Sequence, residues 1–227
     1  MRIKFQQNLD ELKERLLIMA GLVEQAIQRS IESYSTRDIG LCDLVTRSEP
    51  AINRMEREID QLALDLLAME QPMAVDLRFI LAVIRINADL ERVGDQAVSI
   101  ATRVQHMGMF ANVEIPVDIP ELASLAAAMV RRALQSFIEG DADLAQSVLS
   151  MDDQVDQMNR DAFQSLSQLI SEKPEMAPQA LHALIISRNL ERVGDHATNI
   201  AEDVIFWVRG ADVRHGALML EKTETQL

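Results

Sequence analysis

The stretch LERVGDQAVSIATRV, residues 90–104, returns one hundred positions later as LERVGDHATNIAEDV, residues 190–204, with ten of the fifteen residues identical. Identity that dense at one offset marks an internal duplication, so whatever folds the first copy folds the second. At about 100° per residue, Leu90, Val93, Ala97, Ile100, Ala101 and Val104 gather on one side of a helix as a buried stripe. Glu91 and Asp95 fall one turn apart on its flank, and Gly94 lies between that flank and the core. The pattern is costly for a helix on its own. Carboxylates at i,i+4 repel by roughly 0.2–0.5 kcal/mol, and a mid-helix glycine costs about 1 kcal/mol against alanine. Both copies carry both costs, so something must compensate them.

Helical periodicity extends almost to both ends of the chain. A first helix is expected over about residues 3–35, with Leu9, Leu12, Leu16, Met19, Val23, Ala26 and Ile27 on one stripe. A second is expected over about 39–69, where Pro50 predicts a kink or an irregular opening turn. Gln71-Pro72 ends it, and a third runs to about His106. The segment MGMFANVEIPVDIP, residues 107–120, carries two prolines, a glycine and no period, and reads as a linker. The second half repeats the plan: a helix over about 121–139 stopped by Gly140, one N-capped by Asp141 that runs to about Ser171, and a last from the Pro174–Pro178 turn to about Val208. The expected fold class is all-α, with two tandem antiparallel three-helix bundles related by internal duplication. Their bounds are residues 1–106 and 121–210, joined by linker 107–120 and followed by a tail, 211–227.

The formal net charge of −14 repels phosphate backbones and argues against a nucleic-acid partner, while it attracts cations and basic surfaces. Cys42 is the only cysteine, which excludes an intrachain disulfide and suits a reducing compartment. The opening MRIKFQQNLDELKERL is too charged for a signal peptide, and no apolar run approaches the roughly 20 residues a membrane span needs. A cytoplasmic location without membrane insertion is expected.

A compensating partner for Glu91 and Asp95 is sought on the preceding helix. Glu56 and Asp60 make another i,i+4 carboxylate pair beside the stripe of Met55, Ile59, Leu62 and Leu66; in the second half Asp152 and Asp156 stand beside Met151, Val155 and Ala162. In a hairpin turning near Pro174, Asp156 falls level with Glu191 and Asp152 with Asp195, so four carboxylates face one another. Such a patch must be neutralised, protonated or bridged, and a cation bound by hard oxygen donors, Mg²⁺, Mn²⁺, Ca²⁺ or iron, is the simplest remedy. The first hairpin aligns less well, since Asp60 precedes Glu91 by 31 residues whereas Asp156 precedes Glu191 by 35. The plainer reading, solvated charge neutralised by Arg57, Arg92 and Arg192, stands beside the metal reading.

DLERVGD (89–95), NLERVGD (189–195), QPMAVDLR (71–78) and FWVRGADVRH (206–215) resemble the PhoU family over essentially the whole chain. That resemblance implies tandem three-helix bundles in a cytoplasmic, homodimeric protein. It further implies a negative regulator of the phosphate-starvation response that links the phosphate ABC transporter ATPase to a sensor histidine kinase. Some members hold multinuclear iron or zinc clusters through their acidic motifs. Carried over position by position, the implied metal ligands are Glu56, Asp60, Glu91, Asp95, Asp152, Asp156, Glu191 and Asp195. The second repeat lacks a counterpart of the DLR at 76–78.

His196 should point away from the acidic face as a surface histidine, and Glu202 is a candidate extra ligand. Most of the 12 methionines suit core packing, and Phe206-Trp207 suits the closing end of a bundle. Catalytic signatures are missing: no histidine follows a glutamate by three residues, as a di-iron carboxylate centre needs, and there is no glycine-rich phosphate loop. The expected function is therefore non-enzymatic regulation of phosphate uptake. The alternative is a metal-binding or metal-storage bundle with no part in phosphate signalling.

Overall fold

The computed structural model describes residues 2–70, 72–110 and 114–213, and among them are six α-helices, one 3-10 turn and no strand. Helices α1 (Arg2–Thr36), α2 (Ile39–Glu70) and α3 (Ala74–Met107) form the first three-helix unit. Helices α4 (Ile119–Glu139), α5 (Ala142–Glu172) and α6 (Ala177–Arg209) form the second, with the 3-10 turn Pro174–Met176 leading into α6. No irregular opening turn forms at Pro50, because α2 is helical from Ile39 onward on both sides of it. Residues 214–227 of the tail and 111–113 of the linker lie outside the described residues.

Local chemistry sets the helix ends. Asp118 accepts from the Glu121 N–H and starts α4, and Asp141 accepts from the N–H groups of Asp143 and Leu144 and starts α5. Gly140 and Gly210 close α4 and α6 in the left-handed conformation, at φ of 63° and 70°. The matching turn of the first repeat gives that conformation to Arg37, at φ 60°, and Asp38 takes the place of Asp141 by accepting from the Gly40 N–H. Arg37 and Gly140 are 103 residues apart, whereas the ERVGD motifs are 100 apart. The repeats are therefore offset by 103 through their second helices and by 100 through their third, with the difference absorbed between α2 and α3.

The two units share one core. Val23, Ile52, Ile86 and Ile100 from the first pack in a continuous apolar cluster with Met129, Phe137, Val155 and Ile200 from the second. The broadest helix contact joins α3 to α6, which run antiparallel side by side. Along that seam Arg85 pairs with Asp203 at 2.9 Å, Asp89 accepts from His196 and Asn199, Asn189 donates to Ser99, and the His106 ring lies against that of His182. His196 is thus a half-buried bridge between repeats rather than a surface residue. Its ring is held by Asp89 across the seam, and Glu202 lines a cleft with Arg85, Asp89 and Asn199 on the same seam. Trp207 packs on Phe79 and Phe137, at ring distances of 5.1 and 5.5 Å, and so closes one end of the joint core. Met19, Met107 and Met129 are buried; Met69, Met73 and Met109 are exposed. Cys42 is buried too, which pushes its thiol pKa up.

Candidate functional site

Each ERVGD glycine lets two helices approach closely. A Cβ on Gly94 would stand 3.2 Å from Ile52 Cδ1, and one on Gly194 would stand 3.3 Å from Val155 Cγ1. These contacts tighten the α2–α3 and α5–α6 hairpins at the level of the acids on the same turn. The mid-helix glycine is thereby explained by packing. Ile52 and Val155 are themselves 103 apart. The register therefore pairs Asp152 and Asp156 with Glu49 and Asn53, one heptad before Glu56 and Asp60.

In the second repeat the acids converge. Asp152, Asp156 and Asp195 each offer a carboxylate oxygen, all within 4.8 Å of one another. Glu191 stands beside them, its pKa raised by burial and by Asp195 and Asp156, against the opposing pull of Arg188 and Arg192. Burial raises Asp152 as well, with Asp156 and Asp195 adding to it. Asp195 is raised by partial burial of its carboxyl and by Asp156, while His196, Arg188 and Arg192 act against this. Asp152 Oδ1 and Glu191 Oε2 are buried and accept no hydrogen bond. The cluster's ion pairs among the described residues are peripheral: Arg160 to Asp156 at 3.2 Å and Arg188 to Glu191 at 3.7 Å.

The first repeat is looser and differently composed. Burial raises Glu91, and Asp95, Glu56 and Glu49 raise it further while Arg92 lowers it, so these acids share one face. Asp60 lies a turn along and is engaged elsewhere, since the Asn87 amide donates to its Oδ1 and to the Glu56 carbonyl, both at 2.9 Å. The buried Oδ1 atoms of Asn53 and Asn87 have no partner. Glu49 and Asn53 are thus the site residues that sequence reasoning missed. Their signal was the Arg37-Asp38 turn, which aligns with Gly140-Asp141 and carries the 103-residue offset.

Both faces offer hard oxygen donors suited to cations. Among the described residues no helix is long and apolar enough to cross a membrane.

Comparison with known proteins agrees with this architecture. A family model described as the PhoU domain matches twice, over residues 16–104 and 119–204, and its starts and ends reproduce the offsets of 103 and 100. A relative from Pseudomonas aeruginosa, described as a phosphate-specific transport system accessory protein PhoU homolog, is 38% identical over 98% of this chain and 93% of its own. The PhoU accessory protein of Serratia marcescens is 31% identical over 96% of this chain and 90% of its own. Among solved structures, P. aeruginosa PhoU superposes with a TM-score of 0.87 at 37% identity, covering 91% of this chain and all of that one. The phosphate transport system regulatory protein PhoU from Streptococcus pneumoniae gives 0.85 at 27% identity, over 92% of this chain and 99% of its own. A duplicated three-helix unit with acids on its second and third helices, matched twice by one family model, leaves one conclusion: the chain belongs to the PhoU family.

Proposed function

We propose that the protein is a non-catalytic accessory protein of a phosphate-specific transport system, acting in the cytoplasm as a negative regulator of phosphate uptake and of the phosphate-starvation response. It serves as a homodimeric adaptor between the transporter's ATPase and a sensor histidine kinase. Its acidic faces hold metal ions, as iron or zinc clusters or as the harder Mg²⁺, Mn²⁺ or Ca²⁺. The descriptions of the P. aeruginosa and S. marcescens relatives as transport accessory proteins support the pathway.

One observation carries the metal part. Asp152 Oδ1 and Glu191 Oε2 are buried without a donor inside a cluster of like charges. Leaving a buried acceptor unsatisfied costs about 1–3 kcal/mol, and a divalent cation removes both that cost and the repulsion. Asp152, Asp156, Glu191 and Asp195 hold it in the second repeat. In the first, Glu91 and Asp95 act with Glu49 and Asn53, and Glu56 stands alongside; Asp60 joins only if Asn87 releases it.

The adaptor reading is tested by retaining the transporter ATPase and the cytoplasmic part of the kinase on the immobilised protein, alongside a phosphate-starvation reporter in a deletion strain. Retention of both partners and a constitutively active reporter are expected. Failure to retain either, with an unchanged reporter, contradicts it.

A further inference from the structure

The uncovered face of the α5–α6 hairpin changes character along its length. On α5, Asp152, Asp156, Asn159 and Phe163 follow one another at spacings of four, three and four, so they share one stripe. The acidic cluster occupies one part of this face. Toward the α5–α6 turn it becomes an open groove of about 470 Å³ floored by Phe163, Leu184 and Ile185. Phe163 is 58% exposed, an unusual state for a phenylalanine on a helix that already packs on α4 and α6. Arg160 on α5 and Arg188 on α6 stand one on each rim. These are the same two arginines that pair with Asp156 and Glu191, Arg160 also donating to Gln157 Oε1 on its own helix. The first repeat replaces these groove residues: Asp60 occupies the place of Phe163, Arg85 that of Ile185 and Ala88 that of Arg188.

We propose that this groove is a docking cradle for an acidic amphipathic helix of a partner protein, and that a cation in the adjacent cluster switches it on. This rests on the cation-binding reading given above. The occupant's form follows from the groove, because two antiparallel helices covered on their far side by α4 leave open the fourth position of a four-helix bundle. A helix presenting apolar residues at i, i+3 and i+4 fills that position. Its charge follows from the rims, where a guanidinium on either side selects carboxylates flanking the apolar stripe. On a chain of net charge −14 such a helix is repelled elsewhere. Without a cation, Asp156 and Glu191 hold the two arginines and the cluster repels the incoming helix. A bound cation draws those carboxylates inward, releases both guanidiniums from their ion pairs and cancels the repelling charge. Cation and helix therefore favour each other's binding, and by linkage the coupling is reciprocal.

The test uses fluorescence anisotropy of the full chain with a labelled synthetic helix carrying leucines on one stripe and glutamates on both flanks. A second peptide has lysines in place of the glutamates. Each is titrated in chelator and in Mn²⁺. The glutamate peptide is expected to bind wild type at least about fivefold more tightly with Mn²⁺, and the lysine peptide to show no such gain. Asp156→Asn with Glu191→Gln, which removes both ion pairs without metal, should bind the glutamate peptide in chelator as tightly as Mn²⁺-loaded wild type does. Arg160→Ala with Arg188→Ala should lose the binding; binding that survives in this variant means Mn²⁺ merely bridges peptide to cluster, and overturns the proposal. Equal binding in chelator by wild type and Asp156→Asn/Glu191→Gln overturns it as well. So does loss of a homodimer on Phe163→Glu in sedimentation, since the groove is then covered by a second copy. If Mn²⁺ leaves wild type unchanged while Asp156→Asn/Glu191→Gln still tightens, the docking cradle is upheld and the cation reading fails.

Discussion

The duplicated glycine makes a quantitative prediction about how the hairpins are held. Replacing Gly94 by alanine places a methyl 3.2 Å from Ile52 Cδ1 and 3.4 Å from its Cγ2, inside the 3.5–4.0 Å at which carbon atoms attract best. Overpacking of this kind costs about 1–3 kcal/mol, while alanine returns about 1 kcal/mol of helix propensity. Gly94→Ala should therefore destabilise by about 1 kcal/mol net. Ile52→Val deletes the atom in closest contact and by itself costs about 1 kcal/mol. In the double variant the new methyl fills the space that Cδ1 vacates, so the two changes together cost less than their sum by about 1 kcal/mol or more. Equilibrium urea unfolding followed by far-UV circular dichroism measures all four corners of the cycle. Additivity within about 0.3 kcal/mol, or a Gly94→Ala protein more stable than wild type, refutes the claim that glycine is there to admit α2. The same cycle at Gly194 and Val155, where the contact is 3.3 Å, should give the same sign.

Other expectations follow from the charges. Glu91, Asp152, Glu191 and Asp195 have pKa values raised in the folded state, so on acidification the folded chain binds protons before the unfolded chain does. The cation-free protein should therefore gain stability as pH falls from neutrality toward the ordinary carboxylate range of about 4; a thermal midpoint that declines steadily over that window contradicts this. Asp152→Asn removes one half-buried like charge, and should stabilise the protein in chelator while weakening the rise in midpoint that Mn²⁺ produces. Arg85→Ala strips an ion pair from Asp203, whose side chain is 7% exposed. With Arg85 itself partly solvated, a loss of about 2 kcal/mol is expected in urea unfolding; a change under about 0.5 kcal/mol would mean that the seam between repeats does not depend on that pair.

Much of this architecture is legible in the chain because the information is local. A period of 3.6 residues, Gly140, Gly210, Asp141 and the repeated ERVGD delimit six helices and their duplication. What escapes is information carried between segments. Pairing Glu56 and Asp60 with Asp152 and Asp156 needs an offset of 96 residues, which neither the 103 of the second helices nor the 100 of the third supplies; 38 residues separate Asn53 from Glu91 and 35 separate Asp156 from Glu191. The residues level with Gly94 therefore lie seven positions, about two turns, before Glu56 and Asp60, which brings Glu49 and Asn53 to the site. The place of His196 escapes for a related reason: its partner, Asp89, lies 107 residues away across a seam that no helical period announces. The core shared by the two units is likewise invisible to a reading that treats each repeat alone.

The most direct test of the account is elemental analysis of the purified protein beside its Asp152→Asn/Glu191→Gln variant, each after dialysis against Mn²⁺, iron or zinc. Stoichiometric metal on the wild-type protein, reduced in the variant while its helical content is unchanged, is the predicted result. A wild-type protein that retains no metal, or a variant that retains as much, contradicts the claim that cations neutralise the paired acidic faces.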